Sequence, residues 1–153
     1  MKKRIISMCL MALMLVSMLA PAAQAEYLPE KVITTVTALG NGITVESTVI
    51  IHESISAFST TETKKATKTD TYKQNGTQIA TVSITASFGY DGSSSWVNSA
   101  SVSKSISSDW TYSNEKMTTS GGTATVTAIL SKIGVASLDV YTYISCSPDG
   151  EIS

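Results

Sequence analysis

Between Ala80 and Ile106 apolar and hydroxyl-bearing residues alternate almost without interruption. Even positions carry Ala80, Val82, Ile84, Ala86, Phe88 and Tyr90, and odd positions carry Thr81, Ser83, Thr85, Ser87 and Gly89. After Asp91-Gly92 the alternation resumes, with Trp96, Ala100, Val102 and Ile106 even and Ser99, Ser101, Ser103 and Ser105 odd. Successive side chains on a strand point to opposite faces, so each half has one apolar and one hydroxyl face. The pattern predicts a β-hairpin that floors an all-β core. Apolar residues are even on both strands, so cross-strand partners must sum to an even number, which a loop of odd length provides. A three-residue loop, Tyr90-Asp91-Gly92, with its glycine in the left-handed conformation, pairs Val82 with Ala100.

The same reading extends along the chain. Segments 32–38 and 43–51 flank Asn41-Gly42, a dipeptide whose residues both accept positive φ and which marks a two-residue hairpin turn. That loop pairs Gly40 with Ile43 and sets Val32, Val36 and Ala38 on one face with Ile43, Val45, Val49 and Ile51. Segment 53–68 has few apolar residues and no period, and reads as a loop or a crossing between sheets. Lys64, Lys65, Lys68 and Lys73 form a small basic cluster, either a solvated edge that discourages strand addition or a site for an anionic ligand. Segment 67–74 reads as a polar edge strand, turned by Asn75-Gly76 into the long strand that ends at Tyr90. Further strands are expected at 109–119, 123–132 and 135–146, with turns at Ser120-Gly121-Gly122 and Lys132-Ile133-Gly134. The second of these, as a three-residue loop, pairs Val126 with Val140. About eight strands at regular spacing indicate an all-β protein, an antiparallel β-sandwich of immunoglobulin-like type, with a barrel as the alternative.

The first 25 residues change the picture of composition. Lys2-Lys3-Arg4, an apolar run to about Ala20 and the small-residue site Ala23-Gln24-Ala25 have the layout of a secretory signal peptide. Cleavage after Ala25 leaves residues 26–153 as a single all-β domain with a polar loop near 53–66, secreted and without a stable membrane anchor. It takes away three of the 11 basic residues and none of the 12 acidic ones. The remaining chain is mildly acidic and has no arginine, which argues against nucleic acid or phosphate as a partner.

Candidate chemistry is sparse. Cys146 is the only cysteine after the leader, so no internal disulfide forms. Its parity places it with Leu138, Val140 and Ile144 as a buried residue, the alternatives being an intermolecular disulfide or a reactive thiol. His52 is the only histidine, and no ligand spacing for a metal surrounds it. No nucleophile-elbow motif is present, and among Glu46, Glu53, Asp70, Asp91, Asp109, Glu115 and Asp139 no catalytic pair stands out. No cofactor is implied. The aromatic residues are more informative. Tyr141 and Tyr143 share the odd face of the last strand and, on a solvated face, form part of a glycan or protein contact strip. Trp96 and Trp110 are the other ligand-binding candidates, with core packing as the competing role.

The leader, residues 54–61, Phe88-Gly89-Tyr90-Asp91-Gly92-Ser93-Ser94, Ser108-Asp109-Trp110 and the ending Ser145-Cys146-Ser147 through Ser153 resemble a family of small secreted proteins of Gram-positive, often gut, bacteria with no known function. The resemblance implies an extracellular location and supplies no catalytic residue. Members of that family often carry a second cysteine near the position of Val97, where this chain has Trp96-Val97-Asn98. Three functional classes follow. The first is a secreted, non-enzymatic module that binds glycan or protein at a cell surface. The second is a small hydrolase or thiol enzyme built on His52, which requires His52 in a cleft beside a carboxylate or Cys146. The third is a membrane-active toxin or bacteriocin, whose alternating hairpins would line a β-pore; vesicle leakage distinguishes it.

Overall fold

The computed structural model describes residues 31–53 and 61–153. The expected leader, and residues 54–60 of the expected polar loop, lie outside the described residues. Eight strands follow one another: β1 (Lys31–Gly40), β2 (Ile43–Glu53), β3 (Glu62–Gln74), β4 (Thr77–Tyr90), β5 (Ser95–Ile106), β6 (Thr111–Ser120), β7 (Thr123–Lys132) and β8 (Val135–Ser145). They form two antiparallel sheets, β1-β2-β3-β4-β5 and β6-β7-β8, packed as an open sandwich rather than a closed barrel. Every hydrogen-bonded neighbour is also a neighbour in sequence. The connectivity is therefore a meander in each sheet, without the Greek-key crossing of immunoglobulin topology.

Turn chemistry sets the hairpins. Asn41 and Asn75 have φ of 50° and 49°, and the glycines after them 72° and 82°, as a two-residue turn between twisted strands requires. The core is built from the even residues of β4 (Val82, Ile84, Phe88), of β7 (Ala124, Val126, Leu130) and of β8 (Val140, Ile144), all buried. Cys146 continues the β8 row into the same core, buried as its parity indicates.

Three registers differ from the sequence reading, and bulges account for each. Between β1 and β2 a bulge between Ala38 and Gly40 shifts the ladder, so Ile33 pairs with Val49 and Thr37 with Val45. The odd residues of β1 thus share the inner face with Val45 and Ile51, and Val32 and Val36 turn outward. Between β4 and β5 a four-residue loop and a bulge at Ser87/Phe88 pair Ala86, not Val82, with Ala100. Val97 consequently faces the core, and Trp96 lies on the outer face opposite Gly89. Between β7 and β8 a two-residue loop plus a shift between Leu130 and Lys132 pairs Ala128, not Val126, with Val140.

The lysine-rich segment is also not what its composition suggested. Residues 62–74 form one strand, β3, and it is the middle strand of the larger sheet, not a loop followed by an edge. Its inner face reads Lys64, Ala66, Lys68, Asp70, Tyr72. Polar residues are tolerated there because the smaller sheet reaches only this far. β8 touches β3 and β4, β7 touches β4 and β5, and β6 touches β5, whereas β1 and β2 have no such contacts with the smaller sheet. β1, exposed along its whole length, therefore projects beyond β8 as an uncovered ledge, whereas Ile43, Val45 and Ile51 on the inner face of β2 are buried.

Candidate groove beneath the ledge

The ledge and the outer edge of β8 enclose a groove. One hollow of about 220 Å³ is lined by Thr37 and Leu39 of β1, Val45 and Ser47 of β2, Lys68, Asp70 and Tyr72 of β3, and Asp139 and Tyr141 of β8. A second, of about 390 Å³, shares Leu39 with the first and continues past Ile43, Gln74, Leu138 and Trp110. From Leu138 to Tyr141 the groove follows four residues of β8, about 10 Å at strand rise.

Asp70 is the unusual group on this wall. It is only 3% exposed, and its Oδ2 accepts a hydrogen bond of 2.7 Å from the hydroxyl of Thr142, itself fully buried. Asp70 Oδ1 is buried with no hydrogen-bond partner. A buried carboxylate oxygen without a donor is costly, and native structures leave few of them. Tyr72, next on the same face, is buried with its phenol against the Tyr141 backbone amide and the Thr142 side chain. Burial first, and then the nearby Asp70 carboxylate, raise the Tyr72 pKa above the usual value of 10.0. The phenol stays protonated and serves as a fixed polar group.

The aromatic residues on β8 stand at the groove mouth. Tyr141 is 62% exposed and Tyr143 also projects, their ring centroids 5.8 Å apart at a tilt of 51°. The Lys68 ammonium sits 4.5 Å from the centroid of Tyr143, a cation–π contact across the groove wall. Trp110 is buried yet lines the deeper hollow, so its core and site roles coincide. The structure thus brings Trp110 and Tyr141 to the two adjoining hollows, with Tyr143 next to them against Lys68 and Tyr141 but lining neither. Trp96 is not part of it. Its indole lies over Gly89 on the opposite face of the larger sheet, where a Cβ on Gly89 would come within 2.5 Å of the ring, and its N–H donates to Asn98 Oδ1 at 2.9 Å.

The other chemical candidates separate. His52 follows the inward-facing Ile51 on β2 and so takes the outer face beside its partner Lys65. Cys146 lies between the sheets, its thiol pushed up in pKa by burial, so the fold does not assemble a Cys146–His52 pair. Glu46, Asp109 and Glu115 form ion pairs with Lys73, Lys132 and Lys104. A third hollow, about 310 Å³, has an acidic rim of Glu62, Asp91 and Asp149. Two of these are engaged: Glu62 accepts from the Tyr90 hydroxyl at 2.6 Å, and the Ser93 and Ser94 N–H groups hold Asp91 in its turn and lower its pKa. Among the described residues no group of three or more side chains is placed to hold a metal ion.

Asp70 and Tyr72 are the residues that sequence reasoning passed over as a site. The available signal was parity: both stand in the even row with Ala66, one strand away from Ala80 and Val82. Comparison with known families, curated proteins and solved structures finds no match to this chain.

Proposed function

We propose that the protein is a secreted, non-enzymatic binding module that takes a hydroxyl-rich ligand, a glycan chain, in the groove beneath the ledge. The observation that carries this reading is the hollow in which the polar wall of Lys68, Asp70 and Tyr72 stands beside the exposed Tyr141 and Asp139. Sugar hydroxyls donate to an accessible carboxylate such as Asp139, and the apolar face of a sugar ring packs on a tyrosine. The leader supports the extracellular setting. A peptide strand is a poorer fit, because strand addition needs the free edge of β8. That edge is occupied at Tyr141 by the Tyr72 phenol and at Ser145 by Ser153, which exchanges backbone hydrogen bonds of 2.9 and 3.0 Å with it.

The test is retention of the purified protein on insoluble cell walls, mucin and common polysaccharides, with Tyr141→Ala and Asp70→Asn alongside. The reading expects at least tenfold loss of retention in both variants. Retention unchanged in both variants, or no retention on any matrix, removes it.

A second reading has one observation in its favour: Asp70 and Asp139 line the same hollow, and paired carboxylates hydrolyse glycosidic bonds. Release of reducing ends from a retained polysaccharide, abolished by Asp139→Asn, would establish hydrolysis. Retention without product leaves binding alone.

A further inference from the structure

Four strands end the two sheets: β1, β5, β6 and β8. An open edge presents unpaired N–H and C=O groups that template further pairing, and folded proteins blunt such edges. Three of the four are blunted. On β8, Ser153 and the Tyr72 phenol cover the edge as described. On β5, the Val97 N–H donates to Gly121 O of the β6–β7 turn at 3.0 Å, and Lys104 projects to Glu115 of β6 at 2.7 Å. On β6, a bulge between Ser113 and Lys116, with Asn114 at φ 56°, breaks the ladder beside two charged side chains. Among the described residues, β1 has none of these devices. All ten of its residues are exposed, and four of the large apolar side chains on the protein surface stand on it: Val32, Ile33, Val36 and Leu39. Its only charge is Lys31, at one end.

We propose that the β1 edge is a self-association surface, at which two copies of this chain pair β1 with β1 in antiparallel fashion and join their larger sheets into one. The single charge of β1 selects the orientation, and the two-fold repetition of its apolar side chains makes the edge self-complementary. In an antiparallel pair centred on Thr35 each Lys31 lies opposite Leu39, and the two ammonium groups are about 27 Å apart at strand rise. A parallel pair would place them side by side. The pairing brings Val36 of one copy within diagonal reach of the same residue in the other, and it sets apolar Val32 and Ile33 against Ala38 and Thr37. One ten-residue strand buries on the order of 1,000 Å² in total, the lower bound for a specific interface, which places the dimer among weak, reversible associations. The groove gains from the pairing: two ledges meet to form a continuous floor between two β8 edges, and each groove acquires a wall supplied by the other copy. The proposal rests on the edge itself and not on the ligand assigned to the groove.

Sedimentation equilibrium of the purified protein between 1 and 200 µM tests it, with Val36→Lys as the variant. Val36 is 69% exposed, so lysine there leaves the core untouched. Ile133→Lys, at a fully exposed position in the β7–β8 turn, controls for added charge. The expected result is a monomer–dimer equilibrium weakened at least tenfold by Val36→Lys and unchanged by Ile133→Lys. A wild-type protein that is monomeric at 200 µM, or a dimer that both variants weaken equally or neither weakens, overturns the proposal. Hydrogen exchange supplies a readout without substitution: β1 amides should gain protection as wild-type concentration rises, and a β1 whose exchange is independent of concentration contradicts the dimer.

Discussion

Strands β4 and β1 belong to one continuous sheet and alternate in much the same way, yet only β4 is covered. On β4, Val82, Ile84 and Phe88 are fully buried beneath β7 and β8. On β1, side chains of the same type are open to water on both faces. Alternation therefore specifies that a strand forms and which rows match, but coverage depends on how far the second layer extends. Three strands cannot cover five. What remains is a ledge, and the groove beneath it is where the polar inner residues of β3 and the tyrosines of β8 meet.

The largest effect that sharpens this contrast comes from truncation. Ile84→Ala removes a fully buried side chain, and urea unfolding is expected to show a loss of about 2–5 kcal/mol. Val36→Ala on the ledge is expected to change stability by less than about 0.5 kcal/mol. Equal losses would mean that β1 is as packed as β4. At the boundary between the two regions, Thr142→Val deletes the hydroxyl donor to Asp70 Oδ2, beside an Oδ1 that already has no partner among the described residues. The expected cost in the same assay is about 1–3 kcal/mol.

Alkaline titration probes the same boundary. Burial holds the Tyr72 pKa above its unfolded value, so the folded state favours the protonated phenol. That contribution is whole below about pH 10 and is lost as pH rises through the raised folded pKa. Tyr112 acts in the same direction, raised by burial and by Glu115. Stability measured by urea unfolding should fall above pH 10, and Tyr72→Phe should flatten part of that fall. A variant with an unchanged alkaline slope would mean that Tyr72 is solvated and the groove wall open. The smallest effect belongs to the Lys104–Glu115 pair between β5 and β6, at 2.7 Å with both side chains partly exposed. Lys104→Ala should cost at most about 1 kcal/mol, less in high salt. A larger loss would show that the covered half depends on its rim as well as its core.

Most of the fold was legible in the residues. Asn41-Gly42, Asn75-Gly76 and Gly121-Gly122 turn where their conformational freedom indicates, and the β4, β7 and β8 rows bury the residues that alternation nominates. The registers were not legible, because a bulge inserts one unpaired residue and reverses the parity of everything beyond it. Leu39 and Asn98 bear no local mark of that role. The central position of β3 was hidden by its lysines, since a polar inner face reads as an edge until the extent of the opposing sheet is known. Of the candidate site, Tyr141, Tyr143 and Trp110 were visible as aromatic residues, and Trp96 was displaced by the bulge. Asp70 looked like any other surface carboxylate. Only the packing of β8 across β3 distinguishes it.

The account depends first on the division between a packed body and an open ledge. Hydrogen–deuterium exchange followed by mass spectrometry, at submicromolar protein where self-association is negligible, measures that division directly. The expected result is that peptides from β4 and β7 exchange only through global unfolding, orders of magnitude more slowly than peptides from β1. Exchange from β1 as slow as that from β4 would contradict the account, because it would mean that the inner face of β1 is covered and that the groove is closed.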